Sequence, residues 1–504
     1  MKEQKNREKS GYGRIIKYTG IFGGVQGLSL AAGILRTKFA AVLLGEAGIG
    51  LVSIFNSALS VVSNCTNLGL SFSAIRNLSE AHEKGDQAAL EQCVQVIRTW
   101  SFLTALLGAL ACIALAPLLS SWTFEGSFYY TTRYMLLSPI VAFTAIIGGE
   151  TAILKGTQLL TKVALYSFYA TLASLLISIP LFYFFKLSGI VPALLLVSLA
   201  SLLLVASFSF KAFPYRISLF SREVLGQGSG MLRLGVSFAF AGILGSGAEL
   251  AIRAFLQEAG SISVTGLYSC GYTLTVTFAG LVFAAVDADF FPRLSAINHD
   301  TARSIGLVNE QIEALVLLIS PLLIGFLIFL PIILPLFYSG KFLPVIVMTQ
   351  FAMTAMFAKA LTLPMAYMSL SKGDSVIYLI QESLYDVAVV LLVTGGYTLG
   401  GLRGTGIALA VAGLFDWLLV YLITHVRYHF TLSRRGLLIS LIQFLFFAGA
   451  LFVTQILKEG WLYWLAGMGC CLVSGIVSLY ILQKNTTLLP QLLEKMRNRW
   501  RKKQ

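Results

Sequence analysis

The chain has 504 residues, of which 57% are hydrophobic and 12% charged; a soluble domain carries about a quarter charged residues. This composition excludes a soluble enzyme and a nucleic-acid-binding module, and it assigns the formal charge of +14 to the basic loops of a polytopic membrane protein. Apolar runs recur at the length of membrane-crossing helices, and the short alternating segments of a β-barrel are missing.

The N-terminal MKEQKNREKSGYGR is basic. The apolar run after it is too long for a signal-peptide core and has no small-residue cleavage site, so it reads as an uncleaved first span. Hydropathy then predicts fourteen spans, with cores at 15–44, 49–72, 100–120, 133–154, 164–185, 189–210, 232–256, 264–288, 312–335, 345–368, 376–398, 404–424, 437–457 and 461–482. With the N-terminus in the cytoplasm, most of the 37 Lys and Arg residues fall in inward loops and tails. Both termini are therefore expected in the cytoplasm. Two longer inward connections, RNLSEAHEKGDQAALEQCVQVIR and DADFFPRLSAINHDTARSIGLVNEQIE, read as amphipathic helices at the interface. The tail LLPQLLEKMRNRWRKKQ reads as an anchor on anionic lipid.

An internal repeat orders these spans. GEAGIGLVSIF follows span one and QEAGSISVTGLYS follows span seven; SFSAIRNLSEA and DFFPRLSAIN close spans two and eight. Gly50-Leu51 and Gly266-Leu267 are matching positions. A period of six spans inserts both copies in the same direction, related by an axis along the membrane normal. The expected fold is an all-α integral membrane protein of about 14 transmembrane helices, with two pseudo-symmetric six-helix lobes around a central cavity and two extra C-terminal helices. Its divisions are a basic tail (1–14), an N-terminal lobe (15–210), a cytoplasmic linker (211–231), a C-terminal lobe (232–424), helices 13 and 14 (437–482) and a second basic tail (483–504).

Charges inside the spans carry the functional signal. A cation at the bilayer centre costs at least about 2.5 kcal/mol, so it normally faces a bundle interior or a wet cavity. Arg36 and Lys38 lie well inside the first apolar stretch; snorkelling to the outer interface is the bland reading of them. Arg253 stands four residues after Glu249, at ion-pair spacing, and Lys359 is near the middle of span ten. Glu382 and Asp386 share one face of span eleven, where two carboxylates repel unless one is protonated or a cation sits between them. A structural pairing with Lys359 is the competing reading. Asp416 and Glu150 are further carboxylates without an assigned partner. The six cysteines lie mostly in apolar segments and show neither a disulfide framework nor metal spacing.

Three stretches carry a family resemblance: KFAAVLLGEAGIGLVSIFNSALSVVSNCTNLGLSFSAIRNLSE, DADFFPRLSAI and FYSGKFLPVIVMTQFAMTAMFAKALTLPMAYMSLSKGDSVIYLIQES. With this layout, the chain resembles the O-antigen and polysaccharide flippases of the multidrug/oligosaccharidyl-lipid/polysaccharide exporter superfamily. The resemblance implies a transporter rather than an enzyme, in the bacterial inner membrane. It would translocate an undecaprenyl-diphosphate-linked oligosaccharide by alternating access. Arg36, Lys38, Arg253 and Lys359 would line the substrate cavity; Glu382, Asp386, Glu249, Asp416 and Glu150 would be candidates for a coupling H⁺ or Na⁺. No other cofactor is expected. The expected partners are the lipid-linked substrate, membrane lipids and polysaccharide polymerase or assembly proteins, with no nucleic acid. A cation-coupled multidrug exporter and a lipid-II-type flippase are alternatives in the same superfamily. A membrane polysaccharide polymerase would need a large outward loop that the sequence lacks.

Overall fold

Glycine breaks two of the long helices among the described residues. In the computed structural model, which describes residues 2–218, 221–457 and 460–485, helix α1 (Lys2–Asn67) is broken at Gly45, whose φ is 69°. Helix α11 (Ser375–Tyr428) is broken at Gly400-Gly401, where Gly401 has φ 55°. A side chain in this left-handed region strains the backbone, and glycine carries none. Each break turns one continuous helix into two crossings.

The other helices are α2 (Leu70–Glu83), α3 (Gln87–Phe124), α4 (Phe128–Gly156), α5 (Leu160–Phe185), α6 (Ile190–Phe210), α7 (Arg222–Ala259), α8 (Ile262–Ala296), α9 (Thr301–Phe337), α10 (Ile346–Ser371), α12 (Arg434–Ile456) and α13 (Trp461–Asn485). Ten helical stretches among the described residues are long and apolar enough to cross a membrane. Three of them, Leu28–Asn67, Leu160–Phe210 and Ser375–Tyr428, are double-length. Divided at their breaks and joined by the 35-residue α8, they make fourteen crossing-length helices, as hydropathy predicts. The described residues contain helices, turns and irregular backbone, with no strand.

Two compact units form: Met1–Gly266 with Leu336–Lys341, and Leu267–Pro335 with Phe342–Gln504. In the first unit a core of Phe55, Tyr134, Phe124, Leu137 and Ile190 packs α1, α3, α4 and α6 together. The Phe55 and Tyr134 rings meet edge to face at 5.3 Å. Polar contacts also tie helices in this unit, because a backbone carbonyl or hydroxyl surrounded by lipid has no water to turn to. Asn64 of α1 donates to the Gly242 carbonyl (2.9 Å) and the Ser246 hydroxyl (3.2 Å) of α7. The two repeat glycines approach each other closely. A Cβ at Gly50 would stand 2.1 Å from the Ile262 carbonyl oxygen, and one at Gly266 would stand 1.9 Å from that of Glu46.

The first inward connection contains a separate amphipathic helix. Helix α2 buries Leu70, Ala74, Leu78 and Ala81 against α3 and α4 and leaves Arg76 and Glu80 outward. The second connection differs from its sequence expectation. Helix α8 runs on to Ala296, and α9 starts at Thr301 after one tight turn, so no separate interfacial helix forms there. The turn is pinned instead. Asn298 donates to the Ser371 carbonyl (2.9 Å), the Lys372 ammonium donates to the Asn298 carbonyl (3.0 Å), and the Asp300 carboxylate accepts from the Arg303 N–H (3.0 Å) as a helix cap.

In the second unit the last two helices are clasped by buried amide and hydroxyl groups. Gln443 of α12 donates to the Ser478 hydroxyl (2.9 Å) and accepts from the Ser474 hydroxyl (2.6 Å) of α13. The Tyr463 hydroxyl donates to the Ile328 carbonyl of α9 (2.8 Å). The basic C-terminal stretch, read as a lipid anchor, lies outside the described residues from 486 onward.

A charged cavity in the second unit, and its relatives

Helices α8, α10 and α11 line a cavity of about 460 Å³ in the second unit. Its walls are apolar at Val276, Phe283, Met356 and Leu363, as expected for helices packed in a bundle. Set into them are Lys359 from α10 and Glu382 and Asp416 from the two arms of α11. The break at Gly400-Gly401 lets one continuous helix supply carboxylates from both arms. Small residues make the room: Gly413 backs onto Ala355, where a Cβ would approach the Ala355 Cα to 2.5 Å, so α10 and α11 run close together.

Three of the residues singled out by sequence therefore share one wall system. Lys359, Glu382 and Asp386 all act electrostatically on Asp416. Asp386, one turn beyond Glu382, is within this electrostatic group but is not a lining residue of the cavity. Among the described residues, the Lys359 ammonium makes no ion pair within 4 Å. The competing structural pairing of Lys359 with Glu382 or Asp386 is thus not closed as a salt bridge. Tyr378 stands one turn before Glu382 on α11 and forms an aromatic lining with Tyr272, Tyr367 and Tyr385.

The remaining candidates lie in the first unit. Arg36 of α1 donates to the Ser174 hydroxyl of α5 at 2.7 Å, and its side chain is exposed. Lys38 is half-buried two residues on. Arg253 and Glu249 form an ion pair at 2.7 Å with Arg253 the more buried partner. Glu150 is fully buried and has the partner that sequence left unassigned. Arg98 donates to it from Nε (2.8 Å) and Nη2 (3.1 Å), and the Ser209 hydroxyl donates to the same carboxylate. The guanidinium also donates to the Pro214 and Phe213 carbonyls (2.6 and 3.1 Å) and lies over the Phe210 and Tyr215 rings. With its oxygens engaged in this way, Glu150 serves as an internal counter-charge for Arg98. In the connection beyond α6, burial and the nearby Glu150 carboxylate push the Tyr215 phenol up from its ordinary pKa.

Sequence reasoning missed Arg98, Gln381 and the tyrosines. Arg98 lies two residues before the apolar core of its span, and 52 residues separate it from Glu150, so no local pattern links them. Gln381 and the tyrosines carry no charge and blend into the apolar run. Among the described residues no cluster of three or more His, Cys, Asp or Glu side chains could hold a metal ion.

The fold recurs in solved transporters. An inward-facing multidrug resistance MATE family transporter of the MOP superfamily has a TM-score of 0.63 at 16% identity, covering 80% of this chain and 94% of that one. The lipid II flippase MurJ in an inward closed conformation has a TM-score of 0.62 at 14% identity, covering 92% and 99%. A MOP superfamily transporter from Pyrococcus furiosus has a TM-score of 0.57 at 15% identity, covering 81% and 93%. None of the curated proteins matches the chain by sequence. The family model for polysaccharide biosynthesis proteins matches residues 40–347. Over that span, and with the helix layout described, this multi-pass membrane protein belongs to the polysaccharide biosynthesis protein family.

Proposed function

We propose that the protein is a flippase that moves an undecaprenyl-diphosphate-linked oligosaccharide across the bacterial inner membrane by alternating access. The observation that carries this proposal is the charged, hydroxyl-rich cavity inside the second unit of a chain from the polysaccharide biosynthesis family. A sealed structural bundle has no use for a chamber of this polarity, because unpaired charge inside hydrocarbon is costly. The headgroup of such a lipid is an anionic diphosphate followed by sugars. Cations recognise the first part, and Arg36, Lys38, Arg253 and Lys359 are the proposed contacts. Glu382, Asp386 and Asp416 are the proposed carboxylates for a coupling H⁺ or Na⁺. The surface polysaccharide is O-antigen or a related unit, and both termini are cytoplasmic.

The test is a deletion strain. Extraction of its lipid-linked intermediates is expected to show undecaprenyl-diphosphate oligosaccharide accumulating on the cytoplasmic side, with surface polysaccharide lost. No accumulation, together with new sensitivity to cationic drugs, would reject the proposal in favour of a multidrug exporter.

A further inference from the structure

The connection between α11 and α12 is short, basic and fixed in place. Residues 427–435 read RYHFTLSRR, and Arg427, His429, Arg434 and Arg435 are all exposed. The chain beneath them is held by hydrogen bonds and burial. Tyr428 is buried and donates to the Asp374 carboxylate (2.7 Å). Phe430 is fully buried, and its carbonyl meets His425 Nδ1 at 2.8 Å. Asn309 of α9 donates to the Thr431 carbonyl (3.0 Å) and accepts from the Ser433 N–H (2.7 Å). All of these residues belong to the second unit.

Cations outnumber carboxylates on this surface. Arg427 faces Asp374 at 3.6 Å, and Arg435 faces Glu313 at 3.5 Å. The Lys372 ammonium lies 5.8 Å from the Tyr428 ring. Arg434 has no acidic partner within 4 Å among the described residues. Lys372, Arg427, Arg434 and Arg435 therefore stand against Asp374 and Glu313 alone, which leaves positive charge in excess. Exposed aliphatic side chains begin directly beside these cations. Leu437, Leu438 and Leu441 share the Arg434 face of α12 by helical spacing and are 55, 59 and 55% exposed. Val426, next to Arg427 on α11, is 76% exposed.

We infer that this connection is a binding site for an anionic phospholipid, with the phosphodiester against Arg434 and Arg435 and an acyl chain along Leu438 and Leu441. The inference goes beyond the flippase proposal and does not depend on it. The planar fork of a guanidinium matches phosphate oxygens in pairs, and basic clusters at the membrane ends of helices recognise anionic headgroups. The pinned backbone means that little chain entropy is lost on binding. A zwitterionic headgroup brings its own ammonium and leaves the excess charge uncompensated. A nucleic acid or an acidic protein would satisfy the arginines but not the leucines beside them. An anionic lipid satisfies both.

Native mass spectrometry of the full-length protein, released from detergent at rising lipid concentration, tests this inference. The probes are phosphatidylglycerol and phosphatidylcholine of equal acyl length, with millimolar inorganic phosphate as a competitor. Phosphatidylglycerol is expected to stay bound where phosphatidylcholine is lost, and phosphate to leave it in place. Arg434→Gln breaks no internal ion pair and is expected to weaken the first bound phosphatidylglycerol about fivefold, and the double variant with Arg435→Gln about tenfold or more. Thermal unfolding of Arg434→Gln in the same detergent is expected to match wild type, which separates lost binding from lost fold. Arg76→Gln, at an exposed arginine of α2, is expected to bind as wild type does. Equal retention of the two lipids, or unchanged affinity in Arg434→Gln, would overturn the site. So would an equal loss in Arg76→Gln, which would assign the binding to overall charge, and displacement by phosphate, which would assign it to the free anion.

Discussion

Arg98 and Glu150 face each other through two parallel hydrogen bonds of 2.8 and 3.1 Å, with both side chains 1% exposed. The pair joins the start of α3 to the end of α4. Through the Phe213 and Pro214 carbonyls it also holds the first residues of the connection that leaves α6. Removing one partner strands the other. Arg98→Leu is expected to destabilise the protein by about 3–5 kcal/mol, read as a fall in thermal unfolding temperature in detergent. Replacing both with Leu is expected to recover a large part of that loss, because no uncompensated charge remains. Equal losses in the single and double variants would show that the pair acts through something other than charge compensation.

The glycine contact between α1 and α8 makes a second prediction. Gly50→Ala and Gly266→Ala each place a methyl group against a backbone carbonyl that has no rotamer to move into. Each is expected to cost about 1–3 kcal/mol as overpacking and to lower the monodisperse yield on size exclusion. Gly247→Ala meets nothing within 4 Å and is expected to behave as wild type.

Arg36 is expected to be required for export. Arg36→Ala should abolish surface polysaccharide while the protein still inserts in normal amounts. Its hydrogen-bond partner, Ser174, offers a neutral hydroxyl, so the positive charge remains available to an anion. Normal polysaccharide in this variant would remove Arg36 from the proposed cation set.

The carboxylates of α11 are expected to set the energetic coupling. Glu382→Gln with Asp386→Asn should flatten the dependence of transport on pH or on Na⁺ in proteoliposomes. A profile identical to wild type would leave the pair with a structural role in shaping the field at Asp416.

An even number of crossings, as expected here, would put both termini on one side of the membrane. Reporter fusions at residue 2 and residue 504 are both expected to report the cytoplasm. A periplasmic signal at either end would break the proposed topology.

The helices were legible because lipid enforces a simple rule: about 20 apolar residues per crossing, whatever the helix packs against. Even the breaks at Gly45 and Gly400-Gly401, which divide single long helices into pairs of crossings, left the hydropathy cores intact. Lys359, Glu382 and Asp416 were also legible, since a charge in an apolar run stands out. The partnership of Arg98 with Glu150 was not, because it depends on which helices pack together, and apolar runs look alike from every side. Gln381 was hidden for a related reason: an amide among apolar residues becomes informative only when its hydrogen bonds can be counted. The separate helix expected after α8 failed because its amphipathic pattern belongs to the ends of two long helices joined by a pinned turn.

The turns at alternate helix ends share one property. Gly45, residues 125–127, 186–189, 260–261, 338–345, Gly400-Gly401 and the connection after Ile456 are each a few residues long. The expected topology of fourteen crossings would put all seven on one side of the bilayer. An antibody, an inserted tag or a soluble partner arriving from that side would meet almost no polypeptide to grip. In that topology α2 lies on the opposite side, which offers a docking partner more polypeptide.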